Sequence, residues 1–270
     1  SGVEATTNVF YNGAGGGGGR VAIYYEDKSG FVGVVSAKGG SGRAGGQIVA
    51  IWCGGAGSVY WKQNTDLYGE LILDNGGTIT SGWTTPLVTR GPETLSQFSV
   101  GGNARVQITN LLYVLDRTTF VGSNRIDLVD GSNLGNLTMS GSNAQVTVEA
   151  GIGLNDLVVD DGAVLTLGGS NWANSVVLGT NATLTTLPQV PLVLKVTAEM
   201  RVAKGGQLSA AKMGYPGNGG GGLGPGAGGL YGGGYGGTGG SADGSLFGGA
   251  GQTYGWFSFP NEFGSSGGNL

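Results

Sequence analysis

Short β-like triplets return along the middle of the chain at an almost constant spacing, and few folds are compatible with such a repeat. Each triplet has apolar ends and usually a polar centre, the alternation typical of a half-buried strand. The first series begins at residues 106, 126, 146, 165 and 184, so its steps are 20, 20, 19 and 19 residues. Its members are Val106–Ile108, Ile126–Leu128, Val146–Val148, Leu165–Leu167 and Leu184–Thr186.

A second series runs half a period later, at Leu137–Met139, Leu157–Val159, Val176–Leu178 and Val196–Ala198. Two strands in every 20 residues, separated by Gly, Asn and Asp turns, are typical of a β-solenoid whose coils stack on one another. A β-sandwich also has closely spaced strands, but its alternate strands need not resemble each other. We therefore predict an all-β fold, a right-handed parallel β-solenoid or β-helix, with its last rung at 207–210.

Glycine accounts for 61 of the 270 residues, about 23% of the chain against an ordinary share near 7%. Disorder would normally follow, but the hydrophobic share of 39% and the charged share of 11% oppose it. We predict ordered glycine-rich terminal regions of polyglycine or polyproline-II type, because only glycine lets extended backbones approach closely. The predicted divisions are a glycine-rich β region at 1–91, the solenoid at 92–212, and a glycine tract with an aromatic tail at 213–270.

The first 91 residues also contain strand-like runs between their glycines. These runs are 20–25, 33–37, 47–52, 58–61 and 70–73. Helix signals are missing, since glycine interrupts every segment that could carry a helical apolar periodicity.

Several function classes conflict with the composition. The chain has no histidine, which excludes Ser-His-Asp and Cys-His catalysis and His metal sites, and its single Cys53 cannot form an internal disulfide. A net charge of −4 argues against nucleic acid, and no apolar run is long enough for a membrane-spanning helix. The GxGxxG match at 13–18 precedes a strand instead of a helix, and the GxSxG match at 264–268 lacks a histidine partner. We predict that the chain is not an enzyme and has no cofactor.

Carboxylates provide the remaining route to a metal or to acid-base chemistry. Asp160 and Asp161 precede Gly162 and are expected to form a turn, because adjacent strand residues point to opposite faces. Stacked aspartate turns in solenoids can hold calcium, but the corresponding turns here carry serine or threonine. Calcium and a polysaccharide-cleaving β-helix are therefore minor alternatives.

The triplet centres form a predicted outward column on one face of the solenoid. Its members are Gln107, Asp127, Thr147, Thr166, Thr185 and Ser209. A flat threonine ladder would suit ice or a carbohydrate surface, although any soluble solenoid shows a polar outer face.

Both ends of the chain carry aromatic residues in sequence with little charge. Such segments either cap the end of the core or dock a neighbouring subunit, because an uncovered sheet edge invites another chain. The candidate subunit contacts are Val9, Phe10, Tyr11, Tyr254, Trp256, Phe257, Phe259 and Phe263.

Four segments, 15–25, 30–42, 54–62 and 68–75, have a distinctive glycine-rich sequence pattern, which begins with GGGGGRVAIYY. This pattern resembles the glycine-rich repeat units of very large bacterial cell-surface proteins, adhesin-like or gliding-associated. The resemblance covers residues 13–77 well and 205–251 in style, and it implies an extracellular location and a tandem arrangement of units.

We accordingly expect a structural subunit or repeat of an extracellular fibre or surface protein, joined end to end through β-strand and glycine-rich contacts. Its expected partners are copies of itself and, as an alternative, surface glycans bound by an adhesin or carbohydrate-binding solenoid. A lyase or an ice-binding protein is a weaker alternative.

Overall fold

A computed structural model describes residues 13–44, 47–80 and 84–211, together with positions 213, 215, 254 and 265. These residues contain eighteen strands, one turn of 3-10 helix at Ala50–Trp52 and no α-helix, which confirms the all-β prediction. The strands are β1 Arg20–Tyr25, β2 Arg43–Ala44, β3 Gln47–Ile48, β4 Ser58–Gln63, β5 Glu70–Asp74, β6 Thr85–Leu87, β7 Glu93–Gly101, β8 Arg105–Ile108, β9 Leu112–Val121, β10 Asn124–Asp127, β11 Asn136–Ser140, β12 Gln145–Val148, β13 Gly153–Asp160, β14 Val164–Leu167, β15 Ser170–Leu178, β16 Thr183–Thr186, β17 Val193–Val202 and β18 Gln207–Ser209.

From β6 onward the chain alternates between two sheets, as a solenoid requires. One sheet has nine strands in the order β1, β4, β5, β7, β9, β11, β13, β15, β17, and the other has seven in the order β6, β8, β10, β12, β14, β16, β18. Six coils, from β7–β8 to β17–β18, stack in parallel, so the predicted β-solenoid is confirmed. The nine-stranded sheet continues across residue 91, because β5 pairs with β7.

The core lies between the two sheets and is built from the apolar ends of the predicted triplets. Val106, Ile126, Val146, Leu165 and Leu184 are all within 1% of complete burial. Their strands alternate buried and exposed residues because successive side chains of a strand point to opposite faces. The sequence periodicity therefore identifies the core correctly.

Two steps of the predicted register are wrong. Ile126 lies opposite Val148 instead of Val146, and Val176 lies opposite Met200 instead of Val196, with an irregularity between Ala173 and Ser175. Shifts of two or four residues keep every side chain on its original face, so the apolar alternation cannot distinguish these registers.

Buried asparagines hold the bends between neighbouring coils. The Asn124 amide donates to the carbonyls of Val121 and Val100, while its Oδ1 accepts from the backbone N–H of Ala104, 3.1 Å away. Asn171 is used in the same way, because it accepts from Ile152 N and donates to nearby carbonyls. An amide satisfies buried donors and acceptors together, which a carboxylate cannot do.

The N-terminal region reverses the direction of the sheet. β4 pairs antiparallel with β5, whereas β1 pairs parallel with β4, so β1 and β4 run opposite to the solenoid strands beside them. The two ends of the nine-stranded sheet therefore present strands of opposite direction.

Three glycine-rich segments, 13–19, 37–42 and 52–57, pack side by side in the N-terminal region. The first leads into β1 and the third leads into β4. Each donates backbone hydrogen bonds to another, so the three form a closed circuit. The bonds are Gly40 N to Gly16 O at 2.8 Å, Gly54 N to Gly40 O at 2.9 Å, Gly15 N to Trp52 O at 2.7 Å, Gly18 N to Gly55 O at 2.9 Å and Gly57 N to Ala37 O at 2.7 Å. We call these segments the glycine bundle.

Glycine is needed at every third position of the glycine bundle. A Cβ added at these positions would lie less than 3.0 Å from backbone atoms of a neighbouring segment, whereas one added at Gly16, Gly17 or Gly19 would not. The crowded positions are Gly15 and Gly18, Gly39 and Gly42, and Gly54 and Gly57. This period matches the three residues per turn of a polyproline-II helix. Ordered polyglycine packing is therefore confirmed in the N-terminal region, while the 214–251 tract lies outside the described residues except for Tyr215.

The predicted strands at 20–25, 58–61 and 70–73 are confirmed, but two others are wrong. Residues 33–37 form no strand, and only 47–48 of the run 47–52 does. Ala37 instead accepts a backbone hydrogen bond from Gly57 inside the glycine bundle.

Candidate functional site

The C-terminal end of the solenoid leaves apolar core positions uncovered. Three side chains of the last coil are 38–48% exposed, although their register partners in the preceding coil are completely buried. The pairs are Met200 with Val176, Val202 with Leu178 and Leu208 with Leu184. Partners in a parallel register point to the same side, so the three exposed side chains continue the core columns into the last coil. We call Met200, Val202 and Leu208 the open end.

The strand that borders the open end is apolar toward the core and charged on its outer face. Within the part of the chain that the structure describes, no strand pairs with the outer edge of β17 or of β18. Glu199 accepts a hydrogen bond from Arg201 at 2.6 Å, and this carboxylate raises the pKa of the Arg201 guanidinium. Charged residues on an edge strand discourage unspecific pairing with other strands.

The other end of the core also has an opening. A cavity of about 190 Å³ lies between β4, β5 and the first coil, and its walls include Tyr60, Leu71 and Leu95. Arg20 and Glu93 line the same cavity. Burial raises the pKa of the Tyr60 phenol, with a smaller contribution from Tyr24. Tyr24 itself is 64% exposed on β1, the outermost strand of this end.

Most predicted subunit contacts lie outside the described residues. These are Val9, Phe10, Tyr11, Trp256, Phe257, Phe259 and Phe263. Tyr254 is described: it is half-buried, and its hydroxyl accepts a hydrogen bond from Ser265 at 2.9 Å. The sequence did not single out the open end, because Met200 and Leu208 look like ordinary core residues until the register places them in the last coil of the described residues.

Four members of the predicted outward column are aligned in register as expected: Thr147, Thr166, Thr185 and Ser209. The column is wrong at its start, because Arg125 lies opposite Thr147 and Arg105 lies opposite Arg125. The predicted members Gln107 and Asp127 form a neighbouring column, joined by a side-chain hydrogen bond of 2.9 Å. Thr185 is buried instead of exposed, and its hydroxyl donates to Ser209 O at 2.7 Å.

Asp160 and Asp161 form a turn, as their position before Gly162 predicts. Asp160 Oδ1 accepts from the backbone N–H groups of Asp161 and Thr180, both at 2.8 Å, and Ser140 donates to Asp161. Asp161 has a φ of 51° and Gly162 one of 77°, so the chain reverses here. The described residues contain no group of three metal-ligating side chains.

An aromatic cluster lies between β1 and β4 at the N-terminal end. The Trp61 ring packs edge-on against Phe31 and Tyr25, with centroid distances of 5.2 and 6.0 Å. Lys28 Nζ lies 5.3 Å from the Tyr25 ring centroid and 5.6 Å from that of Trp61. Asp27 accepts two bonds from Ser29, which lower the pKa of its carboxyl and order the turn after β1. The cluster therefore fixes the loop that leads from β1 into the glycine bundle.

No family model, no curated protein and no solved structure matches this chain. Among the described residues no helix is long and apolar enough to cross a membrane.

Proposed function

We propose that this chain is a structural unit of an extracellular or cell-surface assembly, in which copies join end to end along the solenoid axis. The unit provides a rigid segment of stacked coils between two different ends. The glycine-rich sequence pattern resembles repeat units of bacterial surface proteins, and this resemblance supports a location outside the cell or on its surface.

The open end is the observation that carries this proposal. Met200, Val202 and Leu208 continue buried core columns and yet remain 38–48% exposed. Full burial of an exposed side chain of this size contributes about 1.5–3 kcal/mol, so covering the fraction that is still exposed contributes roughly 1 kcal/mol for each of the three. A second copy stacked on the open end covers them as the next coil would.

A head-to-tail junction is the arrangement that gives an assembly able to grow. Two open ends placed face to face would form a closed dimer, whereas an open end placed on the β1 end forms a contact that repeats indefinitely. In that arrangement β17 of one copy meets β1 of the next, and the two strands are antiparallel because β1 runs opposite to the solenoid strands. The charged outer face of β17 and the exposed Tyr24 of β1 then lie at the rim of the junction.

The assembly is tested by placing a charge at the open end. We expect the full chain to form elongated oligomers as its concentration rises, measured by sedimentation velocity and electron microscopy. Leu208→Lys is expected to remain monomeric, because stacking would bury an unpaired ammonium. Val121→Lys is the matched control, since Val121 is 61% exposed on a strand inside the stack and should assemble as the unchanged chain does.

A chain that stays monomeric at high concentration would contradict the proposal, as would a Leu208→Lys variant that assembles normally. Deletion of residues 252–270 separates the two roles predicted for the aromatic tail. If the tail caps its own core, the deletion strengthens assembly; if the tail docks on the next copy, the deletion abolishes it.

A further inference from the structure

The outer face of the seven-stranded sheet carries a groove of about 420 Å³ that the end-to-end assembly does not use. It crosses four successive strands, β8, β10, β12 and β14, and the segment containing Ile79 and Thr80 borders one side. Neighbouring strands lie about 4.8 Å apart, so the groove extends roughly 15 Å along the solenoid axis. The polar and charged side chains that line it include Arg105, Ser123, Arg125, Gln145, Thr147 and Thr166.

Two arginines lie side by side in this groove. Arg105 and Arg125 are direct register partners on β8 and β10, which places two like charges on adjacent strands. Arg125 forms an ion pair with Glu149. Arg105 has no carboxylate within ion-pair distance among the described residues; its Nη1 donates weakly to Thr80 O at 3.5 Å, and its buried Nε has no hydrogen-bond partner. The groove thus holds one uncompensated positive charge with unused donors.

The nearby carboxylates do not neutralise this charge. Glu149 is engaged by Arg125, and Asp127 accepts a hydrogen bond from Gln107 in the neighbouring column. Glu149 compensates the charge of Arg125, so an anion beside Arg105 neutralises the positive charge that remains on the two adjacent arginines. Arginine guanidinium groups bind carboxylates through paired hydrogen bonds, which matches this need.

The rest of the lining favours a ligand rich in hydroxyl groups. Thr147 and Thr166 continue the column of the arginines in register, and Gln145 lines the groove two residues before Thr147. These side chains supply hydroxyl and amide groups that both donate and accept hydrogen bonds. The backbone groups of the sheet are already paired between strands, so a peptide cannot add to this face as an extra strand. An extended ligand must bind through its substituents.

We propose that this groove binds an acidic polysaccharide, with a sugar carboxylate held by Arg105 and Arg125 and sugar hydroxyls bound by Gln145, Thr147 and Thr166. The site lies on the side of the solenoid, so it remains accessible when copies stack end to end. It gives each unit of the assembly its own attachment point for a charged glycan.

The binding is tested by titration calorimetry with tetragalacturonic acid and tetramannuronic acid, and with the methyl ester of each as an uncharged control. We expect at least one acid to bind and its ester to bind at least tenfold more weakly. Arg105→Gln should weaken binding about tenfold to a hundredfold, since a hydrogen bond to a charged group is lost. Arg117→Gln is the matched control, because Arg117 is exposed on the opposite sheet and should leave binding unchanged.

Ser123→Glu is a second test that does not depend on the folding of Arg105→Gln. Ser123 is exposed at the groove, so the added carboxylate should abolish binding without disturbing the core. Failure of both acids to bind at millimolar concentration would overturn the proposal. Equal binding of acid and ester, or full binding by Arg105→Gln or by Ser123→Glu, would overturn it as well. These results are independent of end-to-end assembly, which sedimentation measures separately.

Discussion

Replacing Gly18 with alanine should destabilise the chain, whereas replacing Gly17 should not. A Cβ on Gly18 would lie 2.9 Å from the carbonyl carbon of Ala37 and still closer to its oxygen and to Gly57 N. Ordinary van der Waals separation is about 3.5 Å, so the segments must part by at least about 0.6 Å. Backbone atoms form the obstacle, and no side-chain rotation can relieve it.

Parting the segments weakens two hydrogen bonds of the glycine bundle. Gly18 N to Gly55 O is 2.9 Å and Gly57 N to Ala37 O is 2.7 Å, and both lengthen when the segments part. Two weakened bonds at about 1 kcal/mol each, together with about 1–3 kcal/mol of overpacking, give a loss of roughly 2–5 kcal/mol. Gly17 has open space around its Cβ position and no left-handed φ, so alanine there should change stability by about 0.5 kcal/mol at most.

Urea unfolding of the full chain, followed by tryptophan fluorescence, measures this difference. Trp52 and Trp61 lie within or beside the glycine bundle, so the signal includes the region that is perturbed. Equal effects of Gly17→Ala and Gly18→Ala would refute the three-residue packing of the bundle. So would a Gly18→Ala variant that is as stable as the unchanged chain.

Two further stability predictions follow from the coils. Leu184→Ala should lower the free energy of unfolding in urea by about 2–5 kcal/mol, because Leu184 is completely buried. Leu208 is the register partner of Leu184 and is 44% exposed, so Leu208→Ala should cost less than about 1.5 kcal/mol when the chain is kept monomeric. Similar losses for the two variants would show that the open end is covered. Asn124→Asp should lower the free energy of unfolding by about 2–4 kcal/mol, because a carboxylate would face carbonyl oxygens. Asn174→Asp is the control, since Asn174 is exposed, and equal melting temperatures for the two variants would contradict the bridging role of Asn124.

The alternation and spacing of apolar residues predicted the sheets because these properties depend on the chain alone. Val146, Leu165 and Leu184 recur at the coil length, so their burial follows from the period. The start of the outward column could not be predicted in the same way. Arg125 and Asp127 share a face, and a shift of two residues exchanges one for the other without exposing any core residue.

The three-residue spacing of the crowded glycines in the glycine bundle can be recognised in the sequence only when the segments that pack together are known. Gly15 and Gly18, like Gly54 and Gly57, are three residues apart, but glycines also occupy positions such as Gly16 and Gly17 where space is free. Their abundance hides the period. The groove was missed for a related reason, since Arg105 and Arg125 become neighbours only through the register of β8 and β10.

The stacking of the coils also determines how the chain responds to tension along its axis. Hydrogen bonds between strands point along the stacking direction, and each coil contacts only its neighbours, so a pull passes through the junctions in series. The junction of β9–β10 with β11–β12 has three register pairs in each sheet, fewer in total than any other junction between the six coils. The solenoid should therefore part first in its interior, beside the two-residue shift at β12, and its glycine-packed end should remain intact.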